Sequence, residues 1–155
     1  MRFLGIDYGK KNIGLALTDE SASFAFPSSV IINKGIDKSV EEVLSVYKKN
    51  NVSKIIIGRS IDSKGNPNPI MVDILKFKKK IEEATGIKVE FEDEFFTTRE
   101  ARILLSKDDN LGRRATKARL DKKNVKKVID AEAATIILKS YIDRKKSLGG
   151  EASKW

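Results

Sequence analysis

The first apolar stretch, Arg2 to Asp7, alternates only weakly and reads as a central strand buried on both faces. Asp7-Tyr8-Gly9-Lys10-Lys11-Asn12 turns the chain, and Ile13 to Leu17 forms the returning strand of a hairpin. Pro27 leads into a third strand over Ser28 to Ile32. From Asp37 to Asn50, Val40, Val43, Leu44 and Tyr47 recur at helical spacing. Lys54 to Gly58 is a short β-branched run, the pattern of a buried parallel strand. Asn66-Pro67-Asn68-Pro69 starts a helix that carries Ile70, Ile74, Phe77 and Ile81 inward, and Gly86 stops it. Lys88 to Glu92 predicts another strand, ending in the acidic corner Glu92-Asp93-Glu94. Thr97 to Leu105 reads as helical, with Thr97 and Glu100 spaced as a capping box. A basic segment follows, then a last helix from about Val125 to Arg144.

Three antiparallel strands followed by alternating helix and strand predict an α/β fold: a five-stranded mixed sheet flanked by helices, the RNase-H-like order. With 155 residues the chain fits one core, expected over residues 1–146, with a disordered tail at 147–155. Apolar runs such as Ile55-Ile56-Ile57 are far shorter than the roughly 20 residues that span a bilayer. The strand beginning at Arg2 leaves no room for a signal peptide, so the cytoplasm is the expected compartment and no membrane partner is expected.

Composition then restricts the chemistry. The chain has no cysteine and no histidine, which excludes thiolate or imidazole zinc sites, Cys nucleophiles and Ser-His-Asp triads. Hydrolysis would have to run on carboxylates and a hard cation, for which oxygen ligands select Mg²⁺ or Mn²⁺. The formal net charge of +9 favours a polyanionic partner. Much of it is concentrated between Arg113 and Lys127, where Arg113, Arg114, Lys117, Arg119, Lys122, Lys123, Lys126 and Lys127 face only Asp121. This density predicts a mobile, phosphate-contacting loop; a solvated connector is the plainer alternative.

Three acidic positions fall at the ends of elements. Asp7 closes the first strand, Asp93 and Glu94 close the last, and Asp130 lies early on the final helix. If the first strand is central, these ends converge on one sheet edge, where the carboxylates repel unless cations neutralise them. A two-metal arrangement, with ions about 3.5–4 Å apart, suits phosphodiester hydrolysis without histidine. Each acid also has a plainer role. Asp7 fits Asp-x-Gly turn chemistry, and Asp93 and Glu94 fit a solvated strand end. Against the first, Gly9 and Gly14 leave room for a phosphate backbone beside Asp7. Asp130 shares one helix face with Ala133, Ala134, Ile137 and Tyr141, so its charge points where the apolar side chains point. Adjacent strand residues face opposite ways, so Asp93 and Glu94 are alternatives for one site.

The blocks Phe3-Leu4-Gly5-Ile6-Asp7-Tyr8-Gly9 with Ile13-Gly14-Leu15-Ala16-Leu17-Thr18-Asp19, Ile56-Ile57-Gly58, Asp93-Glu94 with Thr97-Thr98 and Ala101, and Ile129-Asp130-Ala131 with Ala133-Ala134, Ile137-Leu138 and Tyr141 resemble the YqgF family. That family, also called RuvX and known for pre-16S rRNA nucleases, is related to the RuvC Holliday-junction resolvases. The resemblance covers roughly residues 2–142. It implies an RNase-H-like fold, metal-dependent nuclease activity, a part in maturing the 5′ end of 16S rRNA, and Asp7, Glu94 and Asp130 as the metal-binding acids, with Asp93 the alternate to Glu94. Phe95 stands where the family has an arginine, Asn12 replaces the first hairpin's arginine, and Gly58-Arg59-Ser60 replaces Gly-Leu-Pro.

The expected partner is structured nucleic acid, an rRNA precursor first. Expected contacts are Gly9, Lys10, Lys11, Arg59, Arg113, Arg114, Lys117 and Arg119, with Arg59 partly replacing the lost arginine. Two other functions compete: a four-way DNA junction resolvase, and a non-catalytic RNA-binding ribosome assembly factor. An actin-like or sugar-kinase ATPase shares the Asp7-x-Gly9 hairpin but needs two domains around its nucleotide. A monomer and a dimer are both compatible with the sequence.

Overall fold

The computed structural model describes residues 1–93 and 122–149. In chain order these form β1 (Arg2–Tyr8), β2 (Asn12–Thr18), β3 (Ala25–Ile32), α1 (Ile36–Lys49), β4 (Val52–Arg59), α2 (Met71–Thr85), β5 (Val89–Asp93) and α3 (Lys122–Gly149). The sheet order is β3-β2-β1-β4-β5. The β1–β2 and β2–β3 pairs are antiparallel, while β1–β4 and β4–β5 are parallel. This is the expected five-stranded mixed sheet, with β1 at its centre.

Strand alternation sorts the core into two layers. Leu4, Ile6, Tyr8, Leu15, Ile55 and Ile57 pack with Val40 and Val43 of α1 and with Met71, Ile74, Phe77 and Ile81 of α2. On the other face, Phe3, Ala16 and Ile56 pack with Ala134, Ile137, Leu138 and Tyr141 of α3. The central strands are covered on both faces, which explains why their sequence alternation is weak.

Local chemistry accounts for most boundaries. Gly86 takes a left-handed conformation (φ 75°) and its N–H donates to the Glu82 carbonyl, closing α2. β3 starts three residues earlier than expected, at Ala25, and runs through Pro27. Proline is tolerated because β3 is an edge strand and Pro27 sits at a register irregularity opposite Ala16.

The last helix corrects two expectations. It extends to Gly149, so residues 147–149 belong to the helix and not to a tail. It begins at Lys122, three residues before the expected start at Val125, so Lys122 and Lys123 are helical and not part of a loop. No acidic residue occupies its first turn. The expected Thr97–Leu105 helix, Arg113, Arg114, Lys117, Arg119 and the chain beyond Gly149 lie outside the described residues.

Glycine decides how closely α3 approaches the sheet. A Cβ at Gly5 would come within 2.4 Å of Leu138 Cγ and 3.0 Å of the Ala134 carbonyl oxygen. A Cβ at Gly14 would lie 2.0 Å from the Asp130 carbonyl oxygen, a backbone atom that cannot swing aside. Gly14→Ala is therefore expected to cost about 1–3 kcal/mol by overpacking, measured by urea unfolding. Wild-type stability in that variant would mean that α3 does not need this approach.

Candidate active site

The hairpin register pairs Asp7 with Gly14, and directly paired residues share a face. That face is the one under α3, because Gly5 and Ala16, two positions back along the strands, lie beneath it. Gly14 therefore has Asp7 beside it in the sheet and the Asp130 backbone above it. Asp7 is partly buried. Asp130 is 9 % exposed, and its Oδ2 atom is buried. Asp7 and the Asp130 backbone, from distant parts of the sequence, thus flank Gly14 at the carboxyl end of the central strand.

The room expected beside Asp7 is filled by the chain itself. The Asn12 carbonyl oxygen would lie 2.4 Å from a Cβ at Gly9, and the Asp130 carbonyl occupies the space at Gly14. These glycines permit a tight hairpin and a close helix, not an open phosphate cradle.

Strand parity separates the acids of β5. Val89 and Phe91 face the α1–α2 layer, and Asp93 has the same parity. Asp93 accepts a 2.6 Å bond from Arg59 Nε, its cross-strand neighbour. The ion pair therefore lies on the face opposite to Asp7. That hydrogen bond to Asp93 raises the Arg59 pKa above its ordinary value. Glu90 and Glu92 take the other parity and meet α3. Glu92, 8 % exposed, accepts from Arg144 Nε at 3.0 Å and from its terminal nitrogen at 2.8 Å. The Tyr141 hydroxyl donates to Glu90 and accepts from Lys54 Nζ at 3.1 Å.

Together these contacts clamp the carboxyl-terminal half of α3 to β4 and β5. Burial pushes the Glu90 carboxyl up, but the Tyr141 hydrogen bond and the Lys54 ammonium outweigh it and hold Glu90 below its usual range. Burial first, then the bond to Glu90, pushes the Tyr141 hydroxyl well above the ordinary phenol value. The clamp was not predicted from sequence, although Tyr141 stood on the inward face and Glu90 and Glu92 are spaced two apart on a strand.

Lys10 and Lys11 are exposed at the hairpin tip. Among the described residues no group of three carboxylates lies within reach of one ion; Glu94, the third expected acid, lies outside them. The two acids that are described suit a hard cation, being oxygen donors on one face with one of them buried. No described helix is long and apolar enough to cross a membrane.

Sheet order and an α3 helix packed on the central strand define an RNase-H-like fold. A family model described as RuvX, Holliday junction resolvase, matches residues 1–144, and the chain belongs to the RuvX family. Among its relatives is a protein named "Putative pre-16S rRNA nuclease" from Caldanaerobacter subterraneus. It is 35 % identical over 147 residues, covering 95 % of this chain and 99 % of that one. A protein of the same name from Carboxydothermus hydrogenoformans is 34 % identical and covers 94 % and 98 %. The fold is shared with T. thermophilus RuvC in complex with a Holliday junction (TM-score 0.54, 13 % identity, 93 % and 95 % covered). It is also shared with the fowlpox virus resolvase bound to junction DNA (TM-score 0.55, 12 % identity, 91 % and 99 % covered).

The clamp has a pH signature. Glu90 is depressed on folding, so its contribution is present above the ordinary carboxylate range and is lost as pH falls through the folded value. Tyr141→Phe removes the largest of the effects that lower it. The variant is expected to lose about 1–2 kcal/mol near pH 7, a modest value because the pair is partly exposed. Its deficit should shrink at acid pH, as pH falls through the lowered Glu90 value. Urea unfolding at both pH values checks this; an equal deficit at each would contradict it.

Proposed function

We propose that this chain is a cytoplasmic, divalent-metal-dependent phosphodiesterase that processes the 5′ end of pre-16S rRNA. The observation that carries the reading is the placement of Asp7 and Asp130 around Gly14 on one face of the sheet. Asp7, Asp130 and Glu94 would hold Mg²⁺ or Mn²⁺. Asp93 is left out because Arg59 engages it on the other face. The bound metal would supply positive charge to the phosphodiester oxygens as negative charge develops there. Asp130 is buried against the sheet, so its carboxylate is oriented before substrate arrives. The Gly9–Lys11 tip, Arg113, Arg114, Lys117 and Arg119 would contact substrate phosphates. The Asp93 ion pair argues against such a role for Arg59.

The names of the curated relatives support an rRNA precursor as substrate. The description of the family model favours a second reading, cleavage of four-way DNA junctions. Both substrates should therefore be assayed in parallel with Mg²⁺ and with Mn²⁺. The account predicts cleavage of a 16S precursor 5′ leader, reduced at least about 100-fold by Asp7→Asn, Asp130→Asn or Glu94→Gln. Circular dichroism should show each variant folded. Turnover near wild type in Asp7→Asn would sink the metal-site reading, and junction cleavage alone would move the substrate to DNA.

A further inference from the structure

The hairpin tip beside Asp7 does not stand alone. Asn33 follows β3 and ties three pieces of chain together. Its Nδ2 donates to the Gly9 carbonyl at 2.8 Å, and its backbone N–H donates to the Lys11 carbonyl at 2.9 Å. Its Oδ1 accepts from the Gly35 N–H at 3.0 Å and from the Ser39 hydroxyl at 3.2 Å. The tip is thereby fixed to the β3–α1 junction and to the first turn of α1. Ser39 itself is 1 % exposed, so the brace is anchored in the core.

Lys10, Lys11, Lys34 and Lys38 are all exposed on these braced pieces. Among the described residues none of the four forms an ion pair, whereas Lys54, Arg59, Lys78, Lys80 and Arg144 each do. Asp37, the acid within the group, is engaged by Lys80 of α2. The patch ends one turn along α1 at the exposed Glu41 and Glu42. It lies on the strand-end edge that carries Asp7, because β1 and β3 both end there and β2 begins there.

We propose that Lys10, Lys11, Lys34 and Lys38 form one preset surface for the sugar–phosphate backbone of the substrate strand, with Asn33 as its positioning residue. This rests on the nuclease reading and extends it to Lys34, Lys38 and Asn33. Fixing the loops before binding lowers the ordering cost of each phosphate contact. The four ammonium groups give affinity without base specificity, so the surface sets where the strand lies and not which sequence is cut.

Anisotropy of a labelled RNA stem–loop, titrated in EDTA across a salt series, separates binding from cleavage. Lys34→Ser/Lys38→Ser should raise Kd roughly 5- to 20-fold near 100 mM salt and flatten the log–log salt slope by about 1.4–1.8. Asn33→Ala keeps every charge, so Kd should rise about 3- to 10-fold with the slope unchanged. Ser39→Ala, which removes only one bond to Asn33, should do the same more mildly and guards against misfolding of Asn33→Ala. Unchanged Kd and slope in the double lysine variant would overturn the surface. Unchanged Kd in both Asn33→Ala and Ser39→Ala would remove the positioning role. If the unaltered chain binds no RNA, the RNA-nuclease reading falls and this surface with it; binding that ignores the lysines defeats the surface alone.

Discussion

The carbonyl oxygen of Asp130 rests against the bare α-carbon of Gly14, and the candidate site depends on that contact. Any side chain at Gly14 would lift the amino-terminal part of α3 from the sheet and carry Asp130 away from Asp7. The far half of the helix is fixed by different means. Tyr141 with Glu90 and Lys54, and Arg144 with Glu92, tie it to β4 and β5. A close backbone approach at one end and a polar clamp at the other leave little freedom to rotate or slide. Rigid secondary-structure elements placed this way can hold two carboxylates near each other before any cation arrives.

Like charges brought together repel, and a cation between them would relieve that repulsion. The described acids of β5 are engaged by basic partners. Parity along β5 sends Asp93 to the opposite face, where Arg59 engages it, and Arg144 engages Glu92 on the α3 face. The basic surface at the hairpin tip supplies charge of the opposite sign on the same edge. Under the proposed reading, acids for metal and lysines for phosphate share one edge of the sheet.

The sheet order, α1, α2 and the inward face of α3 were legible because each rests on a local period. Val40 with Val43, and Ile74 with Phe77 and Ile81, face inward as their spacing predicted. Asp130 could be placed on the buried face from Ala133, Ala134, Ile137 and Tyr141 alone. The role of the glycines was not legible. Room beside Asp7 implied a ligand, but packing between distant segments filled it with Asn12 and Asp130 backbone. Charge density at Lys122 and Lys123 suggested a loop before a helix starting at Val125, yet the helix already includes them. Asn33 gave no periodic signal, since its partners are up to 24 residues away and meet it only in the folded chain.

The central claim is that Asp7 and Asp130 form one cation site around Gly14. Paramagnetic broadening by Mn²⁺ in amide-resolved NMR reads this without any substrate. The account predicts that substoichiometric Mn²⁺ selectively broadens the Asp7, Gly14 and Asp130 amides, that excess Mg²⁺ reverses the effect, and that Asp7→Asn abolishes it. Broadening centred on Glu41 and Glu42 or elsewhere on the surface, with those three amides untouched, would contradict it.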